Sequence, residues 1–380
     1  MRALLQDLSG LLLRGVPGGT VLTRVLLEGS HAIAEAAIQA GCRFYAGYPI
    51  TPSTEILEYM SHRMPQVGGV CMNAESEIEA INMVWGAAAC GVRAMIASTG
   101  QGISLMQESL AEMANAELPC VVVNMMRGQG DYFQATRGGG HGDYRHIVLS
   151  PHTVQEAVDL IGLAFELADR WRNPVDVLGD FLLGHTTEAV AVPSPDGEPP
   201  AKPWAATGAR GRRAHNVTPL GSPEKLNLDP GSHHAAIAAK LPRIAAAEQR
   251  HESGLVDDAE LVVVAFGSPA RFVKYAVRVC RERGMRVGWF RPISLWPFPS
   301  DAVAAAAARV HALAVFEQNA GQMIDDVRLA ILGRVPVVAI GGISHDHSGF
   351  GVGPALEPDH IVGRIADVYQ QHVASPAAAG

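Results

Sequence analysis

The chain has 380 residues, of which 48% are apolar, and this is enough to bury a sizeable core in two domains. Its formal net charge of −8 gives no basic face for nucleic acid or an anionic membrane surface. Its five cysteines form no Cys-x-x-Cys pair, which favours reduced, mostly buried thiols in a cytoplasmic protein over disulfides or a metal site.

The N-terminus, residues 1–22, is interpreted as a short extension. Its apolar run is broken by Asp7 and Arg14, and no clean cleavage site follows, so a secretion signal is the lesser alternative. No later window without charges reaches the length of a membrane-spanning helix. We therefore expect no membrane association.

Strand-like and helix-like patterns alternate from residue 23 to residue 186. The predicted strands include "RFYAGYPI", "VGGVCMNA", "VRAMIAST", "PCVVVNMM" and "PVDVLGDFLL", with amphipathic helices between them. This alternation predicts an α/β domain whose parallel sheet is covered on both faces. Ligands of such sheets bind at the carboxyl ends of the strands, so "GYPITPST", "STGQG" and "MRGQG" are expected on one rim.

Two prolines stiffen the first of these loops. Pro49 and Pro52 each fix φ near −65° and push the residue before them towards extended backbone. The helix that follows is expected to begin at Ser53 or Thr54 as its cap. Thr51 would then be held rigidly on the ligand rim.

The character of the sequence changes after this domain. Residues 187–257 are rich in Pro, Gly and charge and are predicted to be a linker or extended arm, with a helix possible in "HHAAIAAKLPRIAAAEQRHESG". The alternating pattern returns over residues 258–370, which predicts a second, smaller parallel α/β domain. Residues 371–380 form a tail.

Glu77 and Arg127 are the first candidates for chemistry. Glu77 lies at the start of a helix that otherwise buries small residues, and Arg127 closes an apolar strand, where its fork could grip a carboxylate. The structural alternatives are an acid that complements the helix dipole and an arginine paired with a nearby acid. The backbone N–H groups of the glycine turn "STGQGIS" could bind an anion, but the turn lacks the glycine spacing of nucleotide-binding loops.

Histidine and serine motifs are weaker. The histidines of "RGGGHGDYRH" are expected to be structural hydrogen bonders, and "SHDHSG" near the C-terminus resembles a metal cluster only by composition. No Gly-x-Ser-x-Gly elbow is present, so serine hydrolase chemistry has no support. We predict no metal ligands in this chain.

Several motifs together resemble one family, the alpha subunits of the 2-oxoacid:ferredoxin oxidoreductases. They are "GYPITPST", "ESEIEAINMVWGAA", "STGQGISLMQE", "ELPCVVVNMMRG" and "DYFQATRGGGHGDYRHIVLSP". The likeness is strongest to the 2-oxoisovalerate and 2-oxoglutarate types and covers about residues 23–185. From 260 to 369, "FRPISLWPFP" and "FEQNAGQM" resemble the transketolase-C-like domain of the family.

The resemblance implies a pyrimidine-binding domain for thiamine diphosphate. It identifies Glu77 as the activating glutamate that hydrogen-bonds ring nitrogen N1′ of the aminopyrimidine and favours its imino form. It places the substrate-holding threonine on Thr51 and the carboxylate-binding arginine on Arg127. The residues expected around the coenzyme are Tyr48, Pro49, Ile50, Glu77, Ser98, Gly100 and Gly102.

The sequence lacks the other half of that coenzyme site. No GDG…NN motif for diphosphate and magnesium is present, and no cysteine pattern could hold an iron–sulfur cluster. The resemblance therefore implies a beta subunit that carries the diphosphate, Mg²⁺ and 4Fe–4S half, a gamma subunit and, in some assemblies, a ferredoxin-like delta subunit. Coenzyme A would be the co-substrate, and ferredoxin or a similar acceptor would take the electrons.

One departure concerns the substrate. In the family a longer Gly-Pro-rich loop follows the arginine, whereas here "MRGQGDYFQAT" runs straight through. The expected substrate is 2-oxoisovalerate or 2-oxoglutarate, and a bulkier aryl 2-oxoacid such as phenylglyoxylate is the alternative. A non-catalytic scaffold subunit and a self-contained thiamine enzyme are the rival functions.

Overall fold

The computed structural model describes residues 24–193, 199–211, 214–221, 228–343 and 356–374. None of the helices in these ranges is long and apolar enough to cross a bilayer.

Two features predicted from the sequence lie outside the described residues. They are the N-terminal extension, residues 1–22, and the motif "SHDHSG", residues 344–349.

Among the described residues, the first sheet has seven strands, six of them from the first half of the chain. Its strands are β2 (Phe44–Gly47), β3 (Val70–Asn73), β4 (Ala94–Ser98), β5 (Val121–Met126), β6 (Ile147–Leu149), β7 (Val175–Asp180) and β12 (Ser294–Trp296). Their order is β12-β6-β7-β5-β4-β2-β3, and all neighbouring pairs are parallel except β12 with β6. The buried valines of β5 and β7 fit a strand that is covered on both faces.

Helices cover this sheet on both sides. One layer contains α1 (Gly29–Gln39), α2 (Thr54–Arg63) and α6 (Val154–Trp171), and the other contains α3 (Glu77–Ala89) and α4 (Gly100–Asn115). Two short helices, α5 (Tyr132–Arg137) and α7 (Phe181–His185), follow β5 and β7. A separate antiparallel ribbon pairs β1 (Arg24–Glu28) with β8 (Thr187–Ala191).

In the described residues the second sheet has five strands, β9 (His251–Gly254), β10 (Leu261–Val264), β11 (Val287–Pro292), β13 (Ala312–Val315) and β14 (Val337–Ala339). Their order is β14-β13-β10-β11-β9, and β9 alone among them is antiparallel to its neighbour. Its helices are α9 (Pro269–Glu282), α10 (Ser300–Ala307), α11 (Met323–Ile331) and α12 (Pro358–Tyr369). The fold is therefore the predicted one, two α/β domains built on parallel sheets.

The two sheets share a core. One apolar cluster combines Met126 and Tyr132 of the first domain with Val264, Phe290 and other residues of the second. Strand β12 leaves the second domain and joins the edge of the first sheet beside β6. The seam is thus both packed and hydrogen-bonded.

The region predicted as a linker is more structured than its composition indicates. Helix α8 (Pro230–Ala247) lies in the segment for which the sequence allows a helix. Strands β8 and β9, at the two ends of the predicted linker, each pair with another strand. Likewise, the predicted strand "PVDVLGDFLL" ends at Asp180, because the carboxylate of Asp180 accepts from the Leu183 N–H and caps α7. The division at residues 187 and 257 stays a prediction.

Candidate active site

The parallel register brings the three predicted loops to one rim. Strands β2, β4 and β5 are neighbours in the sheet, and their carboxyl ends lead into Tyr48, Thr99 and Arg127. Glu77 follows β3, the strand on the other side of β2. All four chain segments therefore meet at the carboxyl edge of the sheet, as the topology of parallel sheets requires.

Glu77 is the first residue of α3 and is only 5% exposed. The helix is capped by Ser76, whose hydroxyl accepts from the Glu79 N–H at 3.3 Å, so Glu77 is not needed as the cap. Its carboxyl group lies against the first turn of α4, where a Cβ on Gly102 would come within 2.5 Å of Glu77 Oε1. The same Cβ would come within 2.0 Å of Ser98 Oγ.

Two hydroxyl groups at the start of α4 are buried without a hydrogen-bond partner in the described part of the chain. They are Ser98 Oγ and Thr99 Oγ1, and both residues are at most 1% exposed. Buried hydroxyls normally have a partner, because desolvation without one costs roughly 1–3 kcal/mol. This imbalance marks the start of α4 as a place for a polar ligand.

The proline loop forms the outer wall. Tyr48 is 39% exposed, Pro49 is exposed and Ile50 is partly buried. Ser53 occupies the cap position of α2, as predicted, but its hydroxyl donates to the Ile50 carbonyl at 2.8 Å and accepts no capping hydrogen bond from the helix. That bond closes the loop on itself.

Arg127 binds the proline loop directly. Its Nε and Nη2 groups donate to the Thr51 carbonyl oxygen at 3.0 and 2.9 Å. The two residues that the resemblance assigns to the substrate are therefore adjacent, although 76 positions separate them in sequence. The contact uses the backbone of Thr51 and leaves its hydroxyl on the exposed side chain for other partners.

Asp131 joins the arginine to the start of α4. Its carboxylate accepts from Asn124 Nδ2 at 3.2 Å, and a Cβ on Gly100 would come within 2.5 Å of it. Burial raises the pKa of Asp131, while the Asn124 hydrogen bond and the charge of Arg127 oppose that rise. Gly100 thus gives the room in which Asp131 approaches the helix terminus.

A cleft of about 590 Å³ opens beside Arg127 and Asp131, between the first domain and a loop of the second. Among its described lining residues Arg127 is the one cation, and most of the others carry amide or hydroxyl groups. The second-domain part of the lining consists of Gln318, Asn319, Ala320, Gln322 and Ile343. A cleft of this size is in the range of small-molecule sites.

Sequence reasoning missed part of this site. Thr99, Asp131 and Gln134 line the cleft, as does the loop "EQNAGQ" of the second domain. The loop lies in the family-like stretch "FEQNAGQM", but nothing local in its sequence indicates that it faces Arg127. Asp131 follows Arg127 by four residues in a Gly-rich turn, which was the available signal.

The histidine motif has the expected structural role. His146 is buried, with Nδ1 at 3.3 Å from Asp176 and Nε2 at 3.3 Å from the Leu110 carbonyl oxygen. His141 pairs with Glu112 at the surface. Of the five cysteines, Cys42, Cys120 and Cys280 are buried, Cys71 is partly buried and Cys90 is exposed, so most of the thiols are buried, as expected.

Comparisons with known proteins find related families and proteins over most of the chain. Residues 35–243 match the family described as "Pyruvate flavodoxin/ferredoxin oxidoreductase, thiamine diP-bdg", and residues 259–347 match "Pyruvate:ferredoxin oxidoreductase core domain II". The ketoisovalerate oxidoreductase subunit VorB of Methanothermobacter thermautotrophicus is 44% identical over 80% of this chain and 89% of that subunit. The 2-oxoglutarate synthase subunit KorA of the same organism is 39% identical over 84% of this chain and 95% of that subunit.

One solved structure resembles most of the chain. It is the 2-oxoglutarate:ferredoxin oxidoreductase of Magnetococcus marinus with 2-oxoglutarate, coenzyme A and succinyl-CoA bound. It superposes with a TM-score of 0.77 at 27% identity, covering 96% of this chain and 69% of that one.

Proposed function

Because the chain belongs to the family of 2-oxoacid:ferredoxin oxidoreductase subunits, we propose that it holds the pyrimidine half of thiamine diphosphate and the carboxylate of a 2-oxoacid. The observation that carries this proposal is the buried carboxyl group of Glu77, which lies against Gly102 at the start of α4, where the hydroxyls of Ser98 and Thr99 lack partners among the described residues. The reaction is the oxidative decarboxylation of a 2-oxoacid to an acyl-CoA and CO₂, with electrons passed to ferredoxin or a similar acceptor.

The residues at the start of α4 fit an aminopyrimidine. A flat, polar ring needs a carboxyl group and hydroxyl groups in a site closed to water, and Glu77, Ser98 and Thr99 are all at most 5% exposed. Gly100 and Gly102 keep this surface flat, since a Cβ at either would collide with Asp131 or Glu77. Tyr48, Pro49 and Ile50 would form the outer edge of the ring site.

When bound, thiamine diphosphate supplies the nucleophilic carbon and the electron sink that decarboxylation of a 2-oxoacid requires. Glu77 would hold a proton between its carboxyl group and ring nitrogen N1′, a transfer that its buried position protects from water. Arg127 would bind the substrate carboxylate with its charge, and the Thr51 hydroxyl would orient the 2-oxo group. The hydrogen bonds of Arg127 to the Thr51 backbone support this pairing of roles.

The remaining parts of the reaction are proposed to reside on partners. The names of the relatives are names of subunits, so this chain works within a multi-subunit complex. We propose a beta subunit that supplies the diphosphate and Mg²⁺ half with 4Fe–4S clusters, and a gamma subunit, with coenzyme A as acyl acceptor.

Replacing Glu77 by Gln tests the proposed function. The change keeps the shape of the side chain and removes the acid, so turnover by the reconstituted complex should fall about 100-fold or more. Co-purification of the subunits should be unchanged, because the cap of α3 is Ser76. Wild-type turnover by an intact complex would refute the catalytic role of Glu77. That is the result expected if the chain were a non-catalytic scaffold subunit.

The identity of the 2-oxoacid is a separate question. Relatives named for ketoisovalerate and for 2-oxoglutarate both match, and we propose one of these substrates. The 590 Å³ cleft beside Arg127 has room for an aryl 2-oxoacid, which is the second candidate. Steady-state assays of the purified complex with 2-oxoisovalerate, 2-oxoglutarate and phenylglyoxylate decide between them, and clear preference for 2-oxoglutarate would eliminate the bulky-substrate idea.

A further inference from the structure

The turn that follows Arg127 is held by the second domain. Two side-chain amides donate to its backbone carbonyl groups: Asn319 Nδ2 to Gln129 at 2.9 Å and Gln322 Nε2 to Gly130 at 2.8 Å. Gln322 also accepts from the Phe133 N–H at 2.7 Å. The backbone after Arg127 therefore has its polar partners in a different domain.

The contact runs in the other direction as well. The side chain of Gln129 is 1% exposed, donates to the Phe266 carbonyl at 2.9 Å and accepts from the Gln318 N–H at 2.9 Å. Each polar end of this amide thus meets second-domain backbone. A buried amide with both ends satisfied has one orientation, so the turn is fixed relative to the second domain.

The second-domain loop is itself rigid. Glu317 is 3% exposed, and its carboxylate accepts from the N–H groups of Gln322, Met323 and Ile324 at the start of α11. Asn319 Oδ1 accepts from the Gly321 N–H at 2.8 Å. The donors that reach the turn are therefore held on a capped helix end.

We propose that Asn319 and Gln322 are positioning residues for Arg127, so that the second domain sets the affinity of the site for the substrate carboxylate. This rests on the proposed function, in which Arg127 binds that carboxylate. Arg127 has the turn on one side and the Thr51 carbonyl on the other. If the amides are lost, the turn and its arginine gain freedom, and carboxylate binding weakens while the proton chemistry at Glu77 is untouched.

The test compares two single variants, Asn319→Ala and Gln322→Met, in the reconstituted complex. The 2-oxoacid that the wild-type complex uses best serves as substrate. We expect KM for it to rise roughly five- to twentyfold with kcat within about twofold of wild type, since ground-state and transition-state binding are lost together. Hydrogen exchange of the peptide spanning residues 127–134 should become faster in both variants.

Arg137→Gln is the matched control. It removes another contact between α5 and α11, the 2.7 Å ion pair of Arg137 with Asp326, and leaves both amide contacts in place. KM should stay at the wild-type value. Unchanged KM in the two amide variants, or an equal rise in the control, would overturn the proposal.

Failure of the proposed function looks different. A wild-type complex that turns over no 2-oxoacid would remove the carboxylate role of Arg127, while the exchange measurement would still show whether the amides hold the turn. Using two independent variants covers the case in which one of them does not assemble.

Discussion

The absence of a Cβ atom at Gly102 allows Glu77 to lie close to α4. Gly102 lies in the first turn of that helix, and any Cβ there would fall 2.0 Å from Ser98 Oγ and 2.5 Å from Glu77 Oε1. The backbone at Gly102 is ordinary helix, so glycine is needed for space and not for conformation. Glycine lowers the intrinsic stability of the helix at this position, but it leaves room for the carboxyl group of Glu77.

Gly102→Ala should therefore separate activity from folding. The methyl group would displace Glu77 or Ser98, and we expect turnover of the reconstituted complex to fall at least tenfold. The free energy of unfolding of the chain should fall by about 1–3 kcal/mol, the usual cost of overpacking. Steady-state assays measure the turnover, and denaturant unfolding measures the free energy of unfolding.

Gly162→Ala is the control for this change. Gly162 lies within α6, and no atom would be met within 4 Å of its Cβ. This variant should be more stable by up to about 1 kcal/mol with unchanged turnover. Equal turnover in both alanine variants would contradict the packing argument.

Some site residues could be found from the sequence and others could not. Glu77, Thr51 and Arg127 lie in motifs whose spacing carries the family resemblance, so they were predicted by number. Asn319 and Gln322 reach a turn about 190 positions away, and no local pattern predicts such a contact. The roles of all five at the substrate remain predictions.

A buried ion cluster joins the start of α6 to strands β9 and β11. Arg291, 2% exposed, donates from Nη2 to Glu156 at 2.7 Å and to Glu252 at 2.9 Å. Burial would raise the pKa of Glu156, but hydrogen bonds from His152 and Arg291 outweigh it and hold that pKa at about 2. The cluster thus stabilises the seam only while Glu156 is ionised.

Glu156→Gln should lower stability in a pH-dependent way. A carboxyl pKa that folding lowers from 4.5 to about 2 contributes stability that is complete above 4.5 and disappears as the pH falls towards 2. The wild-type chain should exceed the variant by about 3 kcal/mol at neutral pH, and this gap should shrink by about 1 kcal/mol near pH 3.5. Denaturant unfolding across this range measures the gap, and a constant gap would show that ionisation of Glu156 is not its source.

Regular elements were predicted better than irregular ones. Most helices and most buried parallel strands have clear periodicity or apolar runs, and they lie where the patterns predict them. The short strands β6, β8, β9 and β12 are not predicted, because three to five residues carry almost no periodic signal, and helix α12 is not predicted either. Their pairing is decided by the partners that tertiary structure brings to them.

The shared core and the crossing strand β12 bind the two sheets into one unit. Residues of both domains contribute to the same apolar cluster. Ser294, the first residue of β12, makes two hydrogen bonds through its hydroxyl to the backbone of Arg250, which directly precedes β9. Domains joined by only a small polar contact move and unfold separately. Here we expect a single cooperative transition for the isolated chain.

Phe316→Ala tests this coupling. Phe316 is fully buried in the second domain, so its truncation should cost about 3–5 kcal/mol. If the chain unfolds as one unit, the slowest-exchanging amides of β5 in the first sheet should lose protection by a similar free energy. Leu329→Ala, at a side chain 65% exposed in the second domain, should leave that exchange unchanged.

Unaltered β5 exchange in Phe316→Ala would show that the sheets open independently.

The pairing of β12 with β6 also has a consequence during synthesis on the ribosome. The edge of β6 is made early, but the strand that covers it is translated roughly 150 residues later, a delay of about 10–30 s at ordinary elongation rates. Once β7 has paired with one side of β6 (Ile147–Leu149), the other side of β6 remains an unpaired edge of the nascent first domain until β12 is made. The chain is therefore most exposed to edge-to-edge association before its second half has emerged, and a chaperone that shields this edge would act on the nascent chain and not on the finished subunit.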